Sequence, residues 1–125
     1  MAYAFDAERG RLADPVPAVE VPDSMGRPDG MTIDEEGMLW VALFAGGCVT
    51  RWDPRTGSLL ERIEIPAKNV TSCAFGGDDL KSLYVTTART HTTEEELERL
   101  PRSGGLFRVD LDVGGKPAFD FVPAA

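Results

Sequence analysis

The feature that most constrains this chain is an internal repeat of short strands and tight turns. Trp40-Val41 recurs as Tyr84-Val85 about 44 residues later, and Phe5-Asp6 with Gly10 foreshadows Trp52-Asp53 with Gly57 about 47 residues on. Met38 to Leu43 is matched by Ser82 to Thr87, and Gly46 to Asp53 by Gly104 to Asp110. Each unit offers four strands, and a period of roughly 40 to 50 residues with four strands per unit is the mark of a β-propeller blade. Thirteen glycines and nine prolines favour such a turn-rich, all-β chain over a helical one.

The units can be followed in order. Tyr3 to Asp6 reads as a strand, Asp6 to Gly10 as its turn, and Pro15 to Val21 as a second extended piece, suited to a sheet edge because of its prolines. These make residues 1–22 the end of one blade. Residues 28–66 form the next. Gly30 to Asp34 is its first strand and Asp34-Glu35-Glu36-Gly37 its hairpin loop. Met38 to Leu43 is apolar throughout, as in a strand buried on both faces. Cys48 to Trp52 follows, then the turn Asp53-Pro54-Arg55-Thr56-Gly57 and a last strand from Leu59 to Ile65.

Residues 70–122 repeat the plan with strands at Thr71 to Phe75, Ser82 to Thr87, Leu106 to Asp110 and Ala118 to Phe121. A helical insertion interrupts them at 92–100. Thr93 and Glu96 have capping-box spacing, three glutamates favour the positive end of a helix, and Pro101 stops it. The count is about two and a half four-stranded blades in a single partial domain, 1–125. Sheets left with open edges invite pairing with another chain.

Charge and composition narrow the partners. The net charge of −8 would repel a phosphate backbone, which argues against nucleic acid. The longest apolar run, Met38 to Ala45, is too short to span a bilayer, and no signal-peptide pattern precedes the first strand, so the expected location is cytoplasmic with no membrane contact. Cys48, Cys73 and the single His91 form no zinc or redox motif. The two cysteines are left as either a disulfide or two ordinary strand residues. Trp40 and Trp52 are expected to pack within blades. Arg89 and His91, at the exit of a strand, are expected on the rim.

Several motifs carry a resemblance when taken together and in order: Arg27-Pro28-Asp29-Gly30-Met31, Leu39-Trp40-Val41-Ala42, Gly46-Gly47, Asp53-Pro54, Thr56-Gly57, Thr71-Ser72-Cys73-Ala74-Phe75-Gly76-Gly77, Leu83-Tyr84-Val85-Thr86, Ala88-Arg89 and Gly104-Gly105-Leu106-Phe107. With them the chain resembles the C-terminal part of the senescence marker protein / gluconolactonase / luciferin-regenerating enzyme family. The resemblance implies a six-bladed propeller with a divalent metal, calcium or zinc, in the central channel, and hydrolysis of small-molecule sugar lactones.

Asp29 is the one residue that matches the family's metal ligands. By residue chemistry alone Pro-Asp-Gly is a common turn triplet. The resemblance makes Asp29 a metal ligand and the catalytic base. Ser72, at the start of an inner strand, is a weaker metal candidate beside its plain reading as a strand serine. The family's glutamate and asparagine ligands, and its substrate-gripping arginine and asparagine, have no counterpart here, so no substrate-binding residue is assigned. The isolated chain is expected to be inactive. The alternative is a non-catalytic module that binds calcium or self-associates through its sheet edges.

Overall fold

The computed structural model describes residues 1–120. Nine strands and one short α-helix follow in order, with a single 3-10 turn at Asp23–Met25 between the second and third strands: β1 (Phe5–Asp6), β2 (Arg11–Leu12), β3 (Arg27–Ile33), β4 (Leu39–Phe44), β5 (Cys48–Asp53), β6 (Ser58–Glu64), β7 (Asn69–Gly76), β8 (Ser82–Ala88), α1 (Glu94–Arg99) and β9 (Leu106–Asp110). The strands form three antiparallel sheets, β1-β2, β3-β4-β5-β6 and β7-β8-β9, each a meander in chain order.

β4 is the centre of the molecule. Its apolar run leaves no polar face to present to water, so it must be covered on both sides. One cover is the Val19, Val21 and Met25 segment, which packs with Leu39, Val41, Leu43, Cys48 and Trp52. The other is the third sheet: Trp40, Ala42 and Val49 share a core with Val70, Cys73, Leu83 and Val85. The Trp40 ring meets Phe75 edge-on, with centroids 6.1 Å apart. Each such fully buried side chain contributes about 1.5–3 kcal/mol over its exposed state.

Two expected strands are absent. Pro15 to Val21 makes only an isolated bridge, Ala2 to Val16, and the partner of β1 is Arg11–Leu12 instead. The reason is local: Gly10 at φ 61° closes the turn early, and prolines 15 and 17 lack the N–H a ladder needs. Ala118 to Asp120 carries no strand pairing and Phe119 is fully exposed, while Phe121 lies outside the described residues. The third sheet therefore has three strands among the described residues. Cys48 and Cys73 are both free and buried, so there is no disulfide between them.

The helix α1 has a full capping box. The Thr93 hydroxyl accepts from the Glu96 N–H at 3.2 Å, and the Glu96 carboxylate accepts from the Thr93 N–H at 2.9 Å. Among the described residues no helix is long and apolar enough to cross a membrane.

Candidate functional site

The sheets meet through their first strands. β7 packs against both β3 and β4, and both first strands carry a register irregularity. In β3 the pairing steps from Pro28–Leu43 to Met31–Val41, so Asp29 and Gly30 together face one residue of β4. In β7 it steps from Val70–Thr87 to Ser72–Thr86, leaving Thr71 as the extra residue. Such bulges bend a strand and re-aim a side chain.

Asp29 sits in the first of these bulges and is exposed. It follows Pro28, the last residue paired with β4 before the bulge. It precedes Gly30, which has to be glycine: a Cβ there would come 2.8 Å from the Ser72 Cα and closer still to its side chain. Absence of a side chain at Gly30 lets β3 and β7 approach directly. Asp29 and Ser72 are thus brought to the same line of contact between sheets. Ser72 is half-buried and lies over Gly30, which gives it a packing contact. Thr71, not singled out from sequence, stands one residue before Ser72 as Asp29 stands before Gly30. Its hydroxyl is 2.8 Å from that of Thr86. The repeat of the two bulges was the signal that could have found it.

Above this contact lies one end of the sheets. It is formed by the start of β3, the β4–β5 turn, the β6–β7 connection and the long segment from Ala88 to Leu106. Asn69, fully buried, ties these pieces together. Its amide nitrogen donates to the Thr90 carbonyl at 2.6 Å and to the Thr92 hydroxyl at 3.1 Å, and its oxygen accepts from the Ala45 N–H at 3.2 Å. Lys68 donates to the His91 carbonyl at 3.2 Å and pairs with Glu96 at 2.7 Å. The Lys68 ammonium, with help from the Thr93 N–H, holds the Glu96 carboxyl below the ordinary carboxylate range. Arg89 is exposed beside Gly104, and His91 is exposed at this rim.

The opposite end holds a group whose role the sequence did not announce. Asp34 is completely buried in the β3–β4 hairpin. It accepts from the Met38 N–H at 2.9 Å, the Trp40 indole at 3.0 Å and the Arg51 guanidinium at 2.8 Å. Burial alone would push its pKa up, but the Met38 N–H, Arg51 and Trp40 outweigh it and hold the carboxyl below the ordinary value. Arg51 also reaches Glu36 at 2.6 Å and lies over the Trp40 ring. This is scaffold chemistry, with every polar atom of Asp34 engaged. Cys73 is likewise scaffold: burial pushes its thiol up to about 12, and its Sγ donates to the Trp40 carbonyl at 3.4 Å.

The donor set does not complete a metal site by itself. A hard divalent cation takes six or more oxygen ligands. Among the described residues, no group of three or more His, Cys, Asp or Glu side chains is placed to hold an ion. Asp29 contributes one carboxylate.

Antiparallel meander sheets that pack through their bulged first strands define an all-β, propeller-like protein. The comparisons with known proteins agree. The model of the SMP-30/Gluconolactonase/LRE-like region matches residues 1–89, and the chain belongs to that family. It is 50% identical over 113 residues to the putative sugar lactone lactonase YvrE of Bacillus subtilis, covering 90% of this chain and 39% of that protein. It is 43% identical over 121 residues to the pentonolactonase XacC of Haloferax volcanii, covering 94% of this chain and 41% of that one. Against the regucalcin of Danio rerio it is 41% identical, covering 96% and 41%. A solved calcium-binding regucalcin of Agrobacterium tumefaciens superposes with a TM-score of 0.82 at 31% identity over 91% of this chain and 39% of that one. A solved luciferin-regenerating enzyme gives a TM-score of 0.78 at 38% identity, over 91% and 38%. The chain spans about two fifths of the length of the relatives it matches.

Proposed function

We propose that this chain forms about two and a half blades of a six-bladed propeller and contributes Asp29 to the site of a sugar lactone hydrolase. The observation that carries this reading is the bulge at Asp29-Gly30, on the first strand of one sheet and in contact with the first strand of the next. In a propeller that is where inner strands line the central channel. The two relatives named as lactonases lend the substrate class, a small-molecule sugar lactone.

Asp29 is suited to the proton transfer of that reaction. The water oxygen bonds to the lactone carbonyl carbon as its proton passes to the Asp29 carboxylate. The ring carbon–oxygen bond then breaks and the protonated Asp29 returns that proton to the leaving ring oxygen, giving the open hydroxy acid and restoring the carboxylate. A divalent cation, calcium or zinc, belongs with this reading as a Lewis acid for the carbonyl. Asp29 would supply one of its oxygen ligands, with Ser72 the weaker candidate. The others would have to come from outside this chain, and the isolated chain is proposed to be inactive.

Calorimetric titration with calcium tests the ligand role. The chain should bind calcium weakly, and Asp29→Ala should abolish that binding. Unchanged binding in the variant removes Asp29 from the site. A pH-stat assay on gluconolactone should show negligible turnover by the chain alone, and metal-dependent turnover would contradict the claim of inactivity. A second reading, a non-catalytic module that pairs through open edges, is supported by β6, which is exposed along nearly its whole length with Leu59 and Leu60 uncovered. A stable oligomer by light scattering would favour it.

A further inference from the structure

The two ends of the sheets differ in sign. At the hairpin end, a pocket is lined by Glu35, Glu36, Glu61, Asp110 and Asp112, with Arg51 the only cation in its wall. At the Asp29 end, a pocket of about 320 Å³ is lined by Arg27, Phe44, Ala45, Lys68, Asn69 and His91, and contains no carboxylate. In a chain with 21 acidic and 13 basic residues, a pocket walled by three basic side chains and no acid runs against the bulk charge.

The cations there are not equally spent. Lys68 is offset by Glu96 at 2.7 Å. Arg27 has no ion-pair partner among the described residues, whereas Arg51, Arg55, Arg62 and Arg108 each hold a carboxylate. Arg27 is exposed at the start of β3, two residues before Asp29. His91 is held in a left-handed conformation at φ 53°. Such a conformation costs a non-glycine residue energy and persists only when its surroundings impose it. Here they do: Lys68 grips the His91 carbonyl and Asn69 grips Thr90 and Thr92 on either side. The result sets the imidazole edge-on to Phe44, with ring centroids 6.3 Å apart, in the wall of the same pocket as Arg27. A planar guanidinium, an imidazole and an aromatic wall at a site mouth suit a carboxylate carried on a small polar molecule.

We propose that this pocket binds the carboxylate of a sugar acid, with Arg27 as its principal anchor and His91 as its second contact. The inference rests on the lactonase reading for the identity of its ligand. The carboxylate has two sources. It is either borne by an acidic sugar lactone before the ring opens, or formed when a neutral lactone becomes an open-chain aldonate. Either way Arg27, in the pocket wall, stands two residues before the carboxylate that would take the proton.

Because His91 is the only histidine, its ring resonances report on the pocket alone. NMR titrations of the full chain, without added metal, use D-gluconate for the aldonate, D-glucaro-1,4-lactone for the acidic lactone and sorbitol as the neutral control. Gluconate, the acidic lactone or both should shift the His91 ring and the Arg27 side-chain signals, and sorbitol should not. Arg27→Ala should weaken that binding at least about tenfold, the loss expected of one charge-assisted contact. Arg27→Gln, which keeps most of the side chain, should lose it similarly. His91→Asn, tolerated in the left-handed region, should weaken binding less. Response to one acid only assigns the source. No response to either acid, an equal response to sorbitol, or binding unchanged in both Arg27 variants overturns the proposal. Calcium binding lost in Asp29→Ala is read separately, so the metal reading and this one fail independently.

Discussion

The second and third sheets place an arginine at the same register and use it in opposite ways. Arg51 on β5 pairs across from Trp40 on β4, and Arg108 on β9 pairs across from Tyr84 on β8. Arg51 turns inward, its side chain only 15% exposed, onto a fully buried Asp34 and over the face of Trp40. Arg108 turns outward to Asp110 at 2.7 Å, with both side chains more than half exposed. The hairpin loops explain the divergence. Asp34 opens a loop that closes on Gly37, so its carboxylate reaches the Met38 N–H and points under the sheet. In the third sheet Gly76 takes the place of Asp34, opposite Ser82 as Asp34 is opposite Met38, and it has no carboxylate to offer. One repeat unit therefore has a desolvated ion pair at its end, and the other has a solvated one. Geometry of pairing is shared, and energetic consequence is not.

The largest expected effect follows from breaking the buried pair. Asp34→Ala leaves Arg51 only the exposed Glu36 carboxylate, strands the Trp40 indole N–H and the Met38 N–H, and should destabilise the chain by about 3–5 kcal/mol. Urea unfolding followed by tryptophan fluorescence measures this. A loss no greater than that of a surface substitution would mean that water replaces all three contacts and that Asp34 is not the keystone of its sheet.

An acid titration sharpens the same contrast. The folded Asp34 carboxyl lies below its ordinary value of 3.8. A group depressed in the folded state binds its proton more readily once unfolded. Its stabilisation is therefore complete above about pH 4 and is lost as pH falls through the folded value. Wild-type stability should decline across that acid window, and Asp34→Asn should flatten much of the decline. A slope unchanged in Asp34→Asn would assign acid lability to other carboxylates.

How much of this was legible beforehand depends on whether the controlling interaction was local. β4 was readable because Met38 to Leu43 has no polar face. Helix α1 was readable because Thr93 and Glu96 carry their capping partner within three residues. Pro15 to Val21 misled because its prolines were read as marks of an edge strand, whereas they leave too few N–H groups for any ladder, and Gly10 turned the chain back sooner. Asp34 read as a turn residue because its partner, Arg51, is 17 residues away across two strands. Asp29 was singled out through the Arg27-to-Met31 motif, and its exposed place in a bulge of β3 is where the structure puts it. The contact of Gly30 with Ser72, 42 positions on, was not, since it depends on how two sheets lean together. The basic pocket was hidden for the same reason: Arg27, Phe44, Lys68 and His91 come from four separate pieces of chain.

The smallest expected effect tests the other member of the pair. Arg108→Ala removes the partner that holds the Asp110 carboxyl below its ordinary value, but both groups keep their water. The Ser82 hydroxyl also continues to donate to Asp110 at 3.1 Å. Exposed pairs gain little Coulomb energy and lose side-chain freedom in forming. Thermal unfolding of Arg108→Ala should coincide with that of the wild type within error, in low and high salt alike. A double-mutant cycle on Arg51 and Asp34 should return a large coupling, and the same cycle on Arg108 and Asp110 none that can be resolved. Equal couplings would show that register alone, not burial, sets the strength of these pairs, and the contrast between the two sheets would collapse.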